Sequence, residues 1–288
     1  MILFISQGRL GNQLFQYAFL QTIREKNEKI LVLGFSELKE VFYTKGIVNF
    51  PYRRDIWTRV SYKLFIYLIN FLVSVRMISS INVDKKYYKN GYSCEGKTTS
   101  FSRGLFKNIT FVLPGFFQSQ EFFEKRAIDH LRIKEKFSLD AKKIFSRFPK
   151  NSYYVFIHLR RGDYLDFKVF DKNTLLPLRY FNNQIQWFVN NKKNPFFIFI
   201  SDDSSFIRSN FSHVTSKHFM EDNHFGTDLS IMTLCNGAIL SPSSFGWWGS
   251  YLMKKRDKVF APKFWLGFES KINFPSCTTP NYCTSVEI

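Results

Sequence analysis

The sequence predicts an α/β protein built on parallel, Rossmann-like sheets. Three observations point there. The amino end reads strand, turn, helix, strand. A β-branched and aromatic run, Tyr153 to Ile157, breaks off into a charged cluster of His158, Arg160, Arg161 and Asp163. Beyond it, apolar runs alternate with helical patterns as far as Ala261. Strands that alternate with helices pair in parallel, because each crossover helix returns the chain to the same edge of the sheet.

Taken in order, Ile2 to Ser6 is an apolar strand and Gln7 to Asn12 a glycine-containing turn. Gln13 to Glu25 places Leu14, Tyr17, Ala18 and Gln21 at helical spacing, and Lys29 to Phe35 returns as a strand. The turn is not a Gly-x-Gly-x-x-Gly fingerprint, so no nicotinamide cofactor is inferred. Residues 56 to 78 form a long apolar helix on which Arg59, Lys63, Asn70 and Ser74 make one narrow polar stripe. Its charge-free core, Leu64 to Val75, is twelve residues. That is short of the roughly 20 a membrane span needs. Two readings stay open: burial against the protein, or an interfacial helix whose Arg53, Arg54, Arg59, Lys63 and Arg76 meet anionic headgroups. Tyr87 to Phe106 is polar and reads as loop. Phe137 to Asn151 reads as a helix and then a connector, which places the domain boundary near 150 and gives domains 1–150 and 151–288.

The second domain alternates more cleanly. A helix runs from about Leu178 to Asn190, and a strand from Pro195 ends in Ser201, Asp202 and Asp203. A helix opens near Thr227 with Asp228 in its first turn, where a carboxylate suits the dipole. Gly237 to Leu240 is a strand, Ser241 to Ser244 cap a helix running toward Lys255, and Lys258 to Ala261 is a last short strand.

With 288 residues, 45% of them hydrophobic, the chain can bury two ordinary cores. Its formal charge of +18 favours anionic partners. The basic residues are scattered rather than gathered into a tract, and no zinc-finger, basic-zipper or RNA-recognition pattern occurs, so nucleic acid is not expected as a partner. Cys94, Cys235, Cys277 and Cys283 show no Cys-x-x-Cys spacing. Cys277 and Cys283 could pair in an oxidising compartment. Without a cationic, apolar leader at Met1, the reading is a reducing cytoplasm.

The charged cluster falls at the carboxyl end of a strand, where open α/β sheets bind ligands. Paired arginines there suit phosphate or carboxylate through their fork geometry. The competing reading is a structural ion pair of Arg160 or Arg161 with Asp163. Ser243 and Ser244 open a helix, which is either an anion site or simple capping. Asp202 and Asp203 lack the Asp-x-Asp spacing of metal-dependent glycosyltransferases. His213, His218 and His224 lack ligand spacing, so no metal site is expected. Phe245 to Gly249 reads as helix packing, with Phe245 closest to the phosphate candidates.

Four segments stand out in order: Gly8 to Tyr17, the stretch Gly115-Phe-Phe-Gln-Ser119, the stretch His158-Leu-Arg-Arg-Gly-Asp-Tyr164, and Asp228 to Leu252 with its Ser-Ser-Phe-x-Trp-Trp-Gly. Together they resemble bacterial α-1,2-fucosyltransferases of glycosyltransferase family 11. Gly246 stands where the family usually has serine. The resemblance implies a GT-B fold, two Rossmann-like domains facing across a cleft, with the amino-terminal domain on the acceptor side and 151–288 holding GDP-fucose. It implies inverting transfer to the 2-hydroxyl of a galactoside, with no metal and no cofactor. The expected acceptor is a galactose-terminated oligosaccharide or lipid-linked glycan in O-antigen or surface-glycan synthesis, and the setting is cytoplasmic, peripheral on the inner face of an anionic membrane.

Residue by residue, the resemblance assigns Arg160 to the β-phosphate with Ser243, Ser244 and the backbone around Phe245. His158 and Asp228 are assigned to the GDP nucleoside, Asp228 reading guanine nitrogens. Asn12 reaches the donor from the other domain. Arg161 and Asp163 support the loop. Without a metal, fixed cations must stabilise the charge that builds on the leaving diphosphate, and Arg160 with the serine helix start can do so. An inverting route also wants a base near the acceptor hydroxyl. Asp163, Asp202 and Asp203 are the candidates, and Asp163 joins Arg160 in the catalytic set. The alternatives are a related GDP-sugar transferase with another linkage and a non-catalytic basic binding protein.

Overall fold

A computed structural model of the chain describes residues 1–50 and 56–288. Arg53 and Arg54 lie outside the described residues, as does the side chain of Arg59. The chain forms two compact units, Met1–Arg132 and Ile133–Ile288.

The first unit contains β1 (Ile2–Ile5), α1 (Leu10–Ile23), β2 (Ile30–Leu33), α2 (Ser36–Val41), β3 (Phe42–Tyr43), β4 (Ile47–Phe50), α3 (Ile56–Ser74), β5 (Ile78–Tyr87), β6 (Ser93–Ser102), β7 (Phe106–Val112) and α4 (Lys125–Ile128). β8 (Arg132–Ile133) spans the junction. Six strands form a sheet in the order β4-β2-β1-β7-β5-β6, parallel except for β5 against β6. The apolar face of α3 around Ile69, with Tyr62, Phe65, Ile66 and Leu72, packs on Leu3, Ile5, Ile78 and Phe111 of this sheet. Each such buried side chain contributes about 1.5–3 kcal/mol.

Two expectations are corrected here. The helix read over 56 to 78 stops at Ser74. Arg76 adopts a left-handed φ of 56°, Arg76 N–H bonds the carbonyl of Val73 at 3.0 Å, and Met77 N–H bonds that of Leu72 at 2.8 Å. This pair of bonds is a Schellman ending, with arginine where glycine is usual. The stretch Tyr87 to Phe106 is not loop but holds β6, which pairs antiparallel with β5 at the sheet edge. Most of β6 is exposed, so it needs no apolar alternation and carries none.

The second unit contains α5 (Glu135–Phe145), β9 (Tyr153–Leu159), β10 (Lys168–Val169), β11 (Lys172–Asn173), α6 (Leu178–Asn191), β12 (Pro195–Ser201), α7 (Ser204–Phe211), β13 (Lys217–Phe219), α8 (Phe225–Met232), β14 (Gly237–Leu240), α9 (Ser244–Tyr251), β15 (Lys258–Pro262) and β16 (Thr284–Val286). Its six-stranded sheet runs β13-β12-β9-β14-β15-β16, every pair parallel. Counted within the unit, that is the order 3-2-1-4-5-6 of a doubly wound dinucleotide-type domain. The inner strands are buried on both faces, as covered parallel sheets require. Phenylalanines 181, 188, 197, 199 and 211 fill one side with Val155, Ile157 and Ile239.

The unit boundary falls after Arg132 rather than near 150. α5 packs into the second unit: Phe137 is buried, stacks on His224 at 4.5 Å, and lies where any side chain at Gly226 would collide with its ring. Cys277 and Cys283 are not joined in a disulfide, so that conditional pairing is not formed.

Candidate active site

In the second unit the chain leaves β9 toward β12 and leaves β14 toward β15, so β9 and β14 flank the point where strand order reverses. Ligands of open α/β sheets bind in the crevice at that point, outside the carboxyl ends. Two motifs the sequence separates by about eighty positions meet there. Leu240 of β14 is in register with His158 of β9. Ser241 N–H bonds the carbonyl of His158 at 3.0 Å, and the Ser241 hydroxyl accepts from Arg160 N–H at 3.0 Å. The Tyr164 hydroxyl donates to the carbonyl of Pro242. Ser241 and Tyr164 therefore stitch the two loops together, a role that nothing in their local sequence announces.

The Ser243 hydroxyl caps α9, accepting from Phe245 N–H at 3.3 Å, and Ser244 is the first helical residue. Capping is thus in place, and it presents the positive end of α9 at the carboxyl end of the sheet. Trp247 and Trp248 are fully buried, as helix packing predicts.

Arg160 is ion-paired. Its Nε and Nη2 both lie 2.8 Å from Asp163 Oδ1, and its Nη1 lies 3.0 Å from Asp202 Oδ2. The pairing anticipated as the competing reading is therefore present, and Asp202 extends it. The two partners are unequal. The Asp163 side chain is 64% exposed and Asp202 27%. Asp202 also accepts the N–H of Arg161 at 2.9 Å and of Gly162 at 3.1 Å. An exposed pair contributes only about 0–1 kcal/mol, whereas a carboxylate with several donors is held much harder. Asp163 is the partner an incoming anion can displace.

Arg161 is committed elsewhere. Its Nε lies 3.0 Å from Asp203 Oδ2, and its guanidinium sits 3.8 Å from the ring centre of Phe206. Asp203 in turn caps α7 by accepting Phe206 N–H at 3.0 Å. Asp202 and Asp203 are thus occupied in holding the loop.

Two buried polar atoms of the predicted set have no hydrogen-bond partner: His158 Nδ1 and Asp228 Oδ1. Such orphans cost about 1–3 kcal/mol each unless a ligand pairs with them. Burial pushes the His158 imidazole down to about 4, so it is neutral near pH 7. Burial pushes the Asp228 carboxyl up to about 7, despite its place in the first turn of α8. The two side chains stand ready to donate or accept without a full charge.

The first unit brings its own two motifs together. Asn12 Oδ1 accepts from Gln118 Nε2 at 2.7 Å. Gln16 donates to the carbonyls of Gln7 at 2.9 Å and Gly115 at 3.0 Å. Gly8 sits at φ +77°, and a Cβ there would lie 2.3 Å from Asn12 Nδ2. Glu95, which sequence reasoning missed, accepts the N–H of Phe116 and Phe117 at 2.5 and 2.6 Å. No spacing links Glu95 to that turn.

The model of Glycosyl transferase family 11 matches residues 1–270. An alpha-1,2-colitosyltransferase of Escherichia coli is 25% identical over 94% of both chains. The O-antigen biosynthesis glycosyltransferase WbnK of Escherichia coli is 24% identical over 92% of this chain and 94% of its own. The galactoside 2-alpha-L-fucosyltransferase SEC1 of Bos taurus is 25% identical over 86% of this chain and 63% of its own length. In fold, the chain is similar to the fucosyltransferase NodZ from Bradyrhizobium, with a TM-score of 0.51 at 11% identity, covering 88% of this chain and 92% of that one. It is likewise similar to POFUT1 in complex with GDP-fucose, with a TM-score of 0.50 at 11% identity over 90% and 97%. These likenesses bear out a GT-B-type fold of two Rossmann-like units. The chain belongs to glycosyl transferase family 11.

Proposed function

We propose that the protein is an inverting transferase that moves L-fucose from GDP-fucose to the 2-hydroxyl of a galactoside, in synthesis of an O-antigen or similar surface glycan. The observation that carries the reading is the pair of buried, unpartnered atoms, His158 Nδ1 and Asp228 Oδ1, in the domain whose sheet switch point also presents Arg160 and the start of α9. A carboxylate with a free oxygen suits the N1–H and 2-amino group of guanine. The Nε and Nη2 edge of Arg160, once the exposed Asp163 yields it, suits a phosphate held by two parallel bonds. Two of the relatives carry the linkage in their names, an alpha-1,2-colitosyltransferase and a galactoside 2-alpha-L-fucosyltransferase, and a third, WbnK, is named for O-antigen biosynthesis.

In the reaction, the acceptor O2 attacks the anomeric carbon on the face opposite the diphosphate. The new O2–C1 bond forms, the C1–O bond to phosphate breaks, and GDP leaves with the electron pair. Arg160, Ser243, Ser244 and the backbone at Phe245 hold the developing charge. The proton of O2 passes to a carboxylate, for which Asp163, freed from Arg160, is the candidate. Asn12, held by Gln118, is assigned to the donor by the family resemblance alone. Metal independence belongs to the same reading, because Asp202 and Asp203 are already engaged by arginines and backbone. A cytoplasmic setting belongs to the same reading.

The test is to incubate the protein with GDP-fucose and a panel of galactosides, with and without EDTA, and to determine the product linkage by NMR. An α-1,2 product formed equally with EDTA is expected. A different linkage, transfer only from another GDP-sugar, or loss of activity restored by manganese would overturn the corresponding part. The second reading is transfer of a different deoxysugar, favoured by the 25% identity to a colitosyltransferase.

A further inference from the structure

We propose that the outward face of α3 docks on an anionic phospholipid surface. α3 is apolar on both sides. Its inner side packs on the sheet of the first unit. Its outer side carries Val60, Leu64, Tyr67, Leu68 and Phe71, continued by Val75 just past its end, all between 47% and 74% exposed. Their steps of four, three or four, and four place them on one stripe of about four turns. A surface helix normally turns its polar side outward, so a contiguous apolar stripe of this length marks a partner.

The charge around the stripe identifies which partner. Lys63 is exposed on the helix and Arg76 at its end. Leu105 and Phe106, also exposed, are tied to that end: their N–H groups bond the carbonyls of Arg76 at 2.9 Å and Met77 at 2.8 Å. They carry exposed Arg103 and Lys107 beside them. No Asp or Glu occurs from residue 56 to 83 or from 96 to 120. A second copy of this chain would bring the like charges of these segments together, and the segments themselves hold no carboxylate to answer them, which opposes a symmetric dimer through this face. An anionic bilayer answers both features. Its headgroups take the basic residues, and the boundary of its acyl region takes Leu64, Leu68 and Phe71 while the Tyr67 hydroxyl stays at the polar level. No helix among the described residues is long and apolar enough to cross a membrane, so the contact is peripheral. The proposal is independent of the sugar the enzyme transfers.

The test is co-sedimentation of the full chain with vesicles of phosphatidylglycerol and phosphatidylcholine, and with phosphatidylcholine alone. Binding to the anionic vesicles, weakened but not abolished by high salt, is expected. Leu68→Ser and Phe71→Ser change exposed side chains and leave the inner face intact. Together they are expected to lower the vesicle partition coefficient about tenfold or more. Lys63→Glu with Arg76→Glu is expected to abolish the preference for anionic lipid while thermal unfolding stays unchanged. Failure to bind anionic vesicles at any ionic strength would overturn the proposal. So would a concentration-dependent dimer in analytical ultracentrifugation that Leu68→Ser disperses, which would assign the face to a second copy.

Discussion

Arg160 Nη1 lies 3.0 Å from Asp202 Oδ2, and the same side chain receives the N–H groups of Arg161 and Gly162. One carboxylate at the end of β12 therefore orients both the backbone and the guanidinium of the loop after β9. In the proposed mechanism Asp202 is a positioning residue, acting through Arg160. Asp202→Asn keeps the shape but removes the charge and one acceptor. It is expected to lower kcat about 10- to 100-fold, at a cost of about 1.4–2.7 kcal/mol at the transition state, and to leave the acceptor KM unchanged. A rise in KM with kcat intact would assign Asp202 to the acceptor instead.

The unequal hold of the two carboxylates on Arg160 separates their roles. Arg160→Lys replaces a fork by a point charge and is expected to lower turnover by at least about 100-fold. Asp163→Asn removes the displaceable competitor for the Nε and Nη2 edge. GDP should then bind as tightly as before or more tightly, while kcat falls because the candidate base is gone. Weaker GDP binding in Asp163→Asn, measured by calorimetry, would place Asp163 among the groups that hold the donor.

Asp228 carries a pH dependence whose sign is set by its burial. Its carboxyl is pushed up to about 7 from an ordinary 3.8. A folded value above the unfolded one means a stability contribution fully present below about pH 4, which is lost as pH rises through about 7. Asp228→Asn should therefore raise the unfolding free energy at about pH 8 by an amount on the order of 1 kcal/mol, and Tm with it, with little effect at about pH 4. Guanine's N–H donors favour the ionised form. GDP affinity in the wild type should climb as pH rises toward about 7 and then level off. Asp228→Asn should weaken GDP about tenfold or more and flatten the part of the profile due to this group. An identical profile in the variant would remove Asp228 from the nucleotide site.

Much of this site was legible because its carriers are buried. β9, β12 and β14 must be continuously apolar to sit between two helical layers, so their ends are visible as the places where polar residues begin. His158, Arg160, Ser243 and Ser244 were found at such ends, and Asp228 as a carboxylate in the first turn of a helix. What was hidden is long-range. No local pattern tells Arg160 to choose Asp202, about forty positions away, or tells Glu95 to hold the turn at Phe116 and Phe117. β6 was hidden for the opposite reason, since an exposed edge strand needs no apolar face. The end of α3 was masked because Arg76, rather than glycine, takes the left-handed position.

Gly246 tests how tightly the switch point is built. It sits after Phe245 in the first turn of α9, where the resemblance to the family places a serine. A Cβ at this position would lie 2.8 Å from His158 Nδ1, the atom left without a partner. That approach is too close for a real contact, so the imidazole must move. Rearrangement of a packed interior of this kind costs about 1–3 kcal/mol. Gly246→Ala should therefore lower Tm and weaken GDP together, because the shifted ring is also a proposed nucleotide contact. Gly246→Ser adds a hydroxyl within reach of the orphaned nitrogen and should recover part of the stability lost in the alanine variant, without restoring GDP affinity. Thermal unfolding and calorimetry on the two variants distinguish the effects. Full GDP affinity in Gly246→Ala would mean that the ring position of His158 has no bearing on the donor.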